Sequence, residues 1–235
     1  MGRSLMVTGA SRGIGLATVR RFFDADNDIT DILMLARESE DYTAAIDDLQ
    51  ANNPHSKRIH PYFGDVADRG RLVDVCESIM AAHGSVDLLV NNAGYTAPAP
   101  IHEIELPDFE RTINVNLYAP FVIVQSLLHL GNQFDFILNV ASTAGITGRS
   151  GWLAYSSSKA AVIAMSQVMK EELAIYGTRV VCISPGRCAT ALRSKLAPDE
   201  DPRTIMQPGD VARVIEMLAS DAGMFVDSQN LVVRL

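Results

Sequence analysis

Short apolar runs alternate with longer amphipathic ones along the whole chain. The apolar runs are Leu5–Val7, Ile32–Ala36, Ile59–Phe63, Leu88–Asn91, Phe136–Val140, Val180–Ser184 and Leu231–Val233. Several are apolar almost throughout, which is the pattern of strands covered on both faces in a parallel sheet. Between them, Ile14–Asp24, Tyr42–Ala51, Arg69–Ala82, Phe109–Leu130, Ala154–Tyr176 and Pro208–Ala219 carry apolar residues at helical spacing. Strand and helix in turn predict a doubly wound α/β fold, with a seven-stranded parallel sheet and helices on both faces. No repeat or linker breaks the pattern, so residues 1–235 are expected to form one domain.

Composition narrows the function classes. With 235 residues, 48% of them hydrophobic and 20% charged, the chain can bury a full core. The net charge of −8 and the lack of a basic run argue against nucleic acid or an anionic membrane as partner, which leaves a small molecule. Cys76, Cys182 and Cys188 are too few and too scattered for a disulfide framework. No leader precedes Leu5–Val7 and no apolar run would span a bilayer, so a cytoplasmic location is expected. His55, His60, His83, His102 and His129 lack helical ligand spacing, and no metal is expected.

The first candidate for chemistry follows the first strand at once. In Thr8-Gly9-Ala10-Ser11-Arg12-Gly13-Ile14-Gly15, glycines let a backbone turn approach a pyrophosphate at a helix N-terminus. This placement makes a Rossmann-type dinucleotide site the expectation. The second candidate is Tyr155-Ser156-Ser157-Ser158-Lys159. Tyrosine and lysine four apart share a helix face, and a fixed cation stabilises a phenolate whose free pKa is about 10. Proton transfer near neutrality then becomes possible.

These stretches, with several others, resemble the classical type of the short-chain dehydrogenase/reductase family. The glycine spacing is similar to its Thr-Gly-x-x-x-Gly-x-Gly form, and Asn91-Asn92-Ala93-Gly94 looks like its turn after the fourth strand. Asn116 sits in a Val-Asn-Leu segment, Ser142 ends Val-Ala-Ser and precedes Tyr155 at the family's usual interval, and Pro185-Gly186 is followed by Thr190. The resemblance spans essentially the whole chain. It implies an oxidoreductase that interconverts a carbonyl and an alcohol by hydride transfer. Tyr155 would donate the proton, Lys159 would lower its pKa and hold the nicotinamide ribose, Ser142 would hydrogen-bond the substrate oxygen, and Asn116 would position a water. Cofactor contacts are implied for Gly9, Ser11, Arg12, Gly13, Ile14, Gly15, Val66, Asn92, Ala93, Gly94, Tyr155, Lys159, Pro185, Gly186 and Thr190, and for Asp65 at the adenine.

Cofactor choice turns on the end of the second strand. An acid there would bind the ribose hydroxyls of NAD, whereas this chain has Ala36-Arg37, with Arg12 in the glycine loop. Two guanidiniums suit a 2′-phosphate, so NADP is expected, with NADPH preferred over NADH.

Arg149 and Trp152, Tyr95 and Thr96, and Arg187, Arg193 and Lys195 are the substrate-side candidates, and their cations suit a small anionic ketone such as a sugar phosphate. The stretch from Pro185 to Lys195, followed by Glu200-Asp201-Pro202-Arg203-Thr204, also looks like the reductase domain that accompanies pentitol-phosphate cytidylyltransferases and reduces ribulose 5-phosphate. Two alternatives stay open: a 3-oxoacyl carrier-protein reductase, and a non-catalytic NADP-binding sensor. The covering loop between Thr190 and Pro208, broken by Pro198 and Pro202, is expected to hold little regular structure. A homodimer through Phe109–Leu130 and Ala154–Tyr176 is the expected minimum. The diglycine that commonly closes the family's last strand is missing from the C-terminal stretch beginning at Asp227, which puts a homotetramer in doubt.

Overall fold

The computed structural model describes residues 2–226 and 230–235. Positions 227–229, which form part of the stretch behind the tetramer expectation, lie outside the described residues. The seven strands are β1 Arg3–Thr8, β2 Ile29–Ala36, β3 Arg58–Phe63, β4 Leu88–Asn91, β5 Phe136–Val140, β6 Arg179–Pro185 and β7 Leu231–Val233. They pair in parallel in the order β3-β2-β1-β4-β5-β6-β7. The order reverses between β1 and β4, and a crevice opens there at the carboxyl ends of the strands. Pro61 is tolerated in β3 because that strand is an edge, where a missing N–H breaks no inner ladder.

Helices α1 Gly13–Asp24, α2 Glu40–Ala51, α3 Arg69–His83, α6 Leu153–Leu173 and α8 Pro208–Ala219 lie close to their predicted spans. On one face of the sheet, Phe22, Phe23, Tyr42 and Ile215 bury against Leu5, Val7 and Met34. On the other, Leu72, Ile79, Ile123 and Leu127 bury against Met6, Leu33 and Ile137. Two elements differ from expectation. The long helix predicted at Phe109–Leu130 is α4 Leu106–Ile113, a π turn at Asn114–Tyr118 and α5 Ala119–His129. Apolar spacing survives a single widened turn, so periodicity could not show the break.

The covering loop also holds more structure than expected, with α7 at Ala191–Leu196 and a 3₁₀ turn at Pro202–Thr204. Thr190 Oγ1 accepts the Arg193 N–H at 3.1 Å and starts α7, while Asp201 caps the turn that Pro202 opens. These side-chain caps give the segment regular structure despite its prolines.

Candidate active site

Beginning at the glycine loop, Gly13 has φ +57°, a left-handed conformation that favours glycine, and the helix starts immediately. Arg12 supplies no side-chain cap and the first turn of α1 holds no acid, so its leading amides face the cleft as an anion site. Gly15 serves differently from the rest of the loop. It does not line the cleft; a Cβ there would stand 2.2 Å from Gly9 O, so its absence lets helix pack on turn. Thr8, which the motif reading had not singled out, ties the second turn to the first. Its Oγ1 accepts the N–H groups of Asn92 and Ala93, each at 3.0 Å, and Asn92 Nδ2 donates to Thr8 O at 2.9 Å.

The cleft has a volume of about 660 Å³ and is lined by Gly9, Ser11, Arg12, Gly13 and Ile14. Ala36, Arg37, Asp65 and Val66 line it farther on, then Asn92, Ala93 and Gly94. Arg37 has no ion-pair partner among the described residues, and Arg12 is only loosely paired, 3.7 Å from Asp41. Burial alone would raise the Asp65 carboxyl, but the Ala67 N–H and the Arg111 guanidinium, 2.6 Å away, hold it low. Arg111, which also stacks 5.2 Å from the Tyr95 ring, carries no motif and was missed. With free amides, an unpaired cation and glycines at the contact surface, these residues fit a dinucleotide.

At the inner end, Ser142, Tyr155 and Lys159 come together, opposite Pro185, Gly186 and Thr190. Ser142 caps the turn after β5 by accepting the Ala144 N–H, which points its hydroxyl at the Tyr155 phenol. Tyr155 is 7% exposed, and burial raises its pKa while Ser142 and the charge of Arg193 oppose the rise. The expected lowering by Lys159 is absent. Its ammonium donates to Val140 O at 2.7 Å and lies 5.9 Å from the Tyr155 ring centroid, and burial holds its own pKa down at about 8.

Asn116 does not line the cleft. Its Nδ2 donates to Tyr95 O and to Ser158 Oγ, at 3.0 and 2.9 Å, and its Oδ1 accepts the Tyr95 N–H at 2.8 Å. The side chain therefore staples the loop at Tyr95 to α6. Behind it, a cavity of about 10 Å³ touches Asn116, Lys159 and Asn91, whose buried Oδ1 has no partner.

The substrate-side candidates gather at the mouth, where Arg149 and Arg193 lie 5.5 and 5.8 Å from the Trp152 ring and Lys195 lies 5.9 Å from that of Tyr95. Arg193 is held by both oxygens of Glu200, at 2.6 and 2.9 Å, and Arg187 reaches Glu200 at 3.2 Å. Neighbouring guanidiniums keep the Glu200 carboxyl below its ordinary pKa, Arg193 foremost. Glu200 comes from beyond the first of the loop prolines, and only the folded loop returns it to the arginines.

Comparisons with known proteins agree with this geometry. The family model for short chain dehydrogenases matches residues 3–201. A 3-oxoacyl-[acyl-carrier-protein] reductase of Thermotoga maritima is 32% identical, over 97% of this chain and 94% of that protein. A blue fluorescent protein from a metagenomic library, solved with NADPH, superposes with TM-score 0.86 at 30% identity, over 99% of this chain and 96% of that one. A xylitol dehydrogenase bound to NAD⁺ superposes with TM-score 0.84 at 26% identity, over 99% and 98% of the two chains.

Proposed function

The chain belongs to the short-chain dehydrogenase family, and from that premise we propose that it is an NADP-dependent reductase of a small anionic ketone. As a member it is an oxidoreductase acting between CH–OH and C=O with a nicotinamide cofactor, which supplies the hydride. Residues 1–235 work as one domain in this reading. Amides at the start of α1 bind the pyrophosphate, and Asp65 and Val66 flank the adenine. Ser142 Oγ and Tyr155 Oη hold the substrate oxygen, and Oη delivers the proton as negative charge develops there. Burial keeps that phenol protonated, which is the form a donor needs. Lys159 supplies the positive charge beside it. The small cavity is about the size that holds one water, bridging Asn116, Asn91 and Lys159 so that a proton can be resupplied.

Arg37 and Arg12 support NADP over NAD. A charge-assisted phosphate contact is worth about 1.5–3 kcal/mol. Arg37→Ala should therefore weaken NADPH by roughly tenfold or more and leave NADH unchanged in direct binding titrations. Equal affinity of the wild-type protein for the two cofactors would end the NADP assignment.

Lys159 also predicts a pH dependence. Its folded pKa is depressed from 10.5 to about 8, so it is charged below that value and neutral above it, where a free lysine would still be charged. The kcat/KM for reduction should hold up to that pH and fall beyond it, and Lys159→Ala should remove the step as well as lower the rate. A wild-type profile flat across the same range would separate activity from this ammonium.

The observation that carries the anionic-substrate reading is Glu200, since a carboxylate already sits on Arg193 beside Tyr155 and Trp152. A substrate phosphate or carboxylate would take its place, and binding energy remote from the carbonyl becomes orientation at the carbonyl. Arg193→Ala should raise KM for a phosphorylated ketose by about tenfold or more, with little change for an uncharged ketone of similar size. Equal losses on both substrates would remove the anion from the reading. Faster turnover of an acyl carrier-protein thioester than of any small ketone would favour the alternative that the Thermotoga relative's name suggests.

A further inference from the structure

Three side chains from separate elements meet at the edge of the sheet farthest from β7. Asp31 projects from β2, His60 from the edge strand β3, and His83 ends α3 where Gly84 takes a left-handed C-cap. His60 Nε2 lies 2.7 Å from Asp31 Oδ1, the two imidazole rings stack edge-on with centroids 4.4 Å apart, and Tyr62 Oη lies 2.8 Å from His83 Nε2. One donor atom from each of Asp31, His60 and His83 falls within 4.8 Å of the others. We propose that this Asp-His-His cluster is a binding site for a divalent transition-metal ion of the zinc class, tying the edge strand to α3.

The donor set selects the ion. Two imidazole nitrogens and one carboxylate oxygen suit zinc and its neighbours, whereas magnesium and calcium want oxygen ligands and more of them. Zinc–nitrogen bonds are about 2.0–2.1 Å, so a bound ion takes the place of the direct His60–Asp31 contact. The fourth position goes to water.

The competitor is Arg58. Its Nε and a terminal nitrogen reach Asp31 Oδ1 and Oδ2 at 2.7 and 2.5 Å, so a guanidinium now holds both oxygens of this carboxylate. The Arg58 side chain is 67% exposed against 14% for Asp31. The ion must displace this paired guanidinium from the carboxylate, and that competition is what removal of Arg58 would relieve. The cluster lies toward the amino ends of β2 and β3, the opposite end of the sheet from the cofactor cleft. Its metal therefore acts on the stability of the edge and takes no part in hydride transfer. Sequence spacing could not reveal the site, because no two of its ligands share a helix.

The test is calorimetric titration of the full-length, chelator-stripped protein with Zn²⁺, with Mg²⁺ as control. The wild-type chain should bind one equivalent of Zn²⁺ and no Mg²⁺ at this site, and Zn²⁺ should raise its melting temperature. Asp31→Asn and His60→Gln should each weaken binding by at least about tenfold, and His60→Gln with His83→Gln together should abolish both the heat and the thermal shift. Arg58→Ala, at an exposed position that leaves the fold alone, should tighten binding by removing the competitor. Zn²⁺ binding that is unchanged in the double variant, or no tighter in Arg58→Ala, would overturn the proposal. The arginine variant keeps the outcome decisive even if a histidine variant folds poorly.

Discussion

Replacing Tyr155 with Phe is expected to lower kcat by about 10²–10⁴-fold, the contribution typical of a positioned general acid. The ring stays, and with it the edge-on contact to Trp152 at 6.3 Å and the packing under the cleft floor. Only the hydroxyl that would share the substrate oxygen with Ser142 is lost. Cofactor affinity should therefore remain within a few-fold of wild type, because the glycine loop is untouched. Steady-state rates beside a fluorescence titration of cofactor give both quantities. Turnover within a few-fold of wild type would mean that another group delivers the proton, and the Ser142–Tyr155–Lys159 reading would fall.

Gly15→Val is the second large effect, and it acts through the backbone. Even a Cβ at this position would stand 2.2 Å from Gly9 O and 2.5 Å from Asn92 Nδ2. The first of these is main chain and cannot swing aside, so helix α1 must lift off the turn. Overpacking of this kind costs about 3 kcal/mol at its upper range, or a melting temperature lower by roughly 6–12 °C in a chain of this size. Cofactor affinity should fall more steeply than stability, since the amides at the start of α1 move with the helix. A variant with wild-type melting and wild-type cofactor binding would show that the loop relaxes in some other way. Gly84→Ala is a suitable contrast, because a Cβ there meets nothing within 4 Å and only the positive φ is strained.

Most of the fold was legible because a parallel sheet buried on both faces writes itself as continuous apolar runs. Each of the seven runs proved to be a strand, and the edge position of β3 is consistent with Pro61. The glycine loop and the Tyr155–Lys159 pair were legible for a similar reason. Backbone approach and one helical turn are both short-range constraints, so they appear as fixed local spacing. The loop capped by Thr190 and Asp201 was misjudged, since caps compete with prolines and the balance depends on where the arginines and Glu200 are carried.

The sequence by itself determined the sheet, the crevice at its switch point, the family, and the residues that could hold a dinucleotide and a substrate oxygen. Their interactions were decided only in the folded chain. Burial raises the Tyr155 phenol with no opposing contribution from Lys159, Asn116 staples Tyr95 to α6, Gly15 supports the loop from beneath, and Glu200 closes on Arg193. Asp31, His60 and His83 meet from two strands and a helix end. The physical reason is common to all of them. Desolvation and hydrogen-bond partnership depend on which distant segments share a volume, and that is a property of packing and not of spacing along the chain.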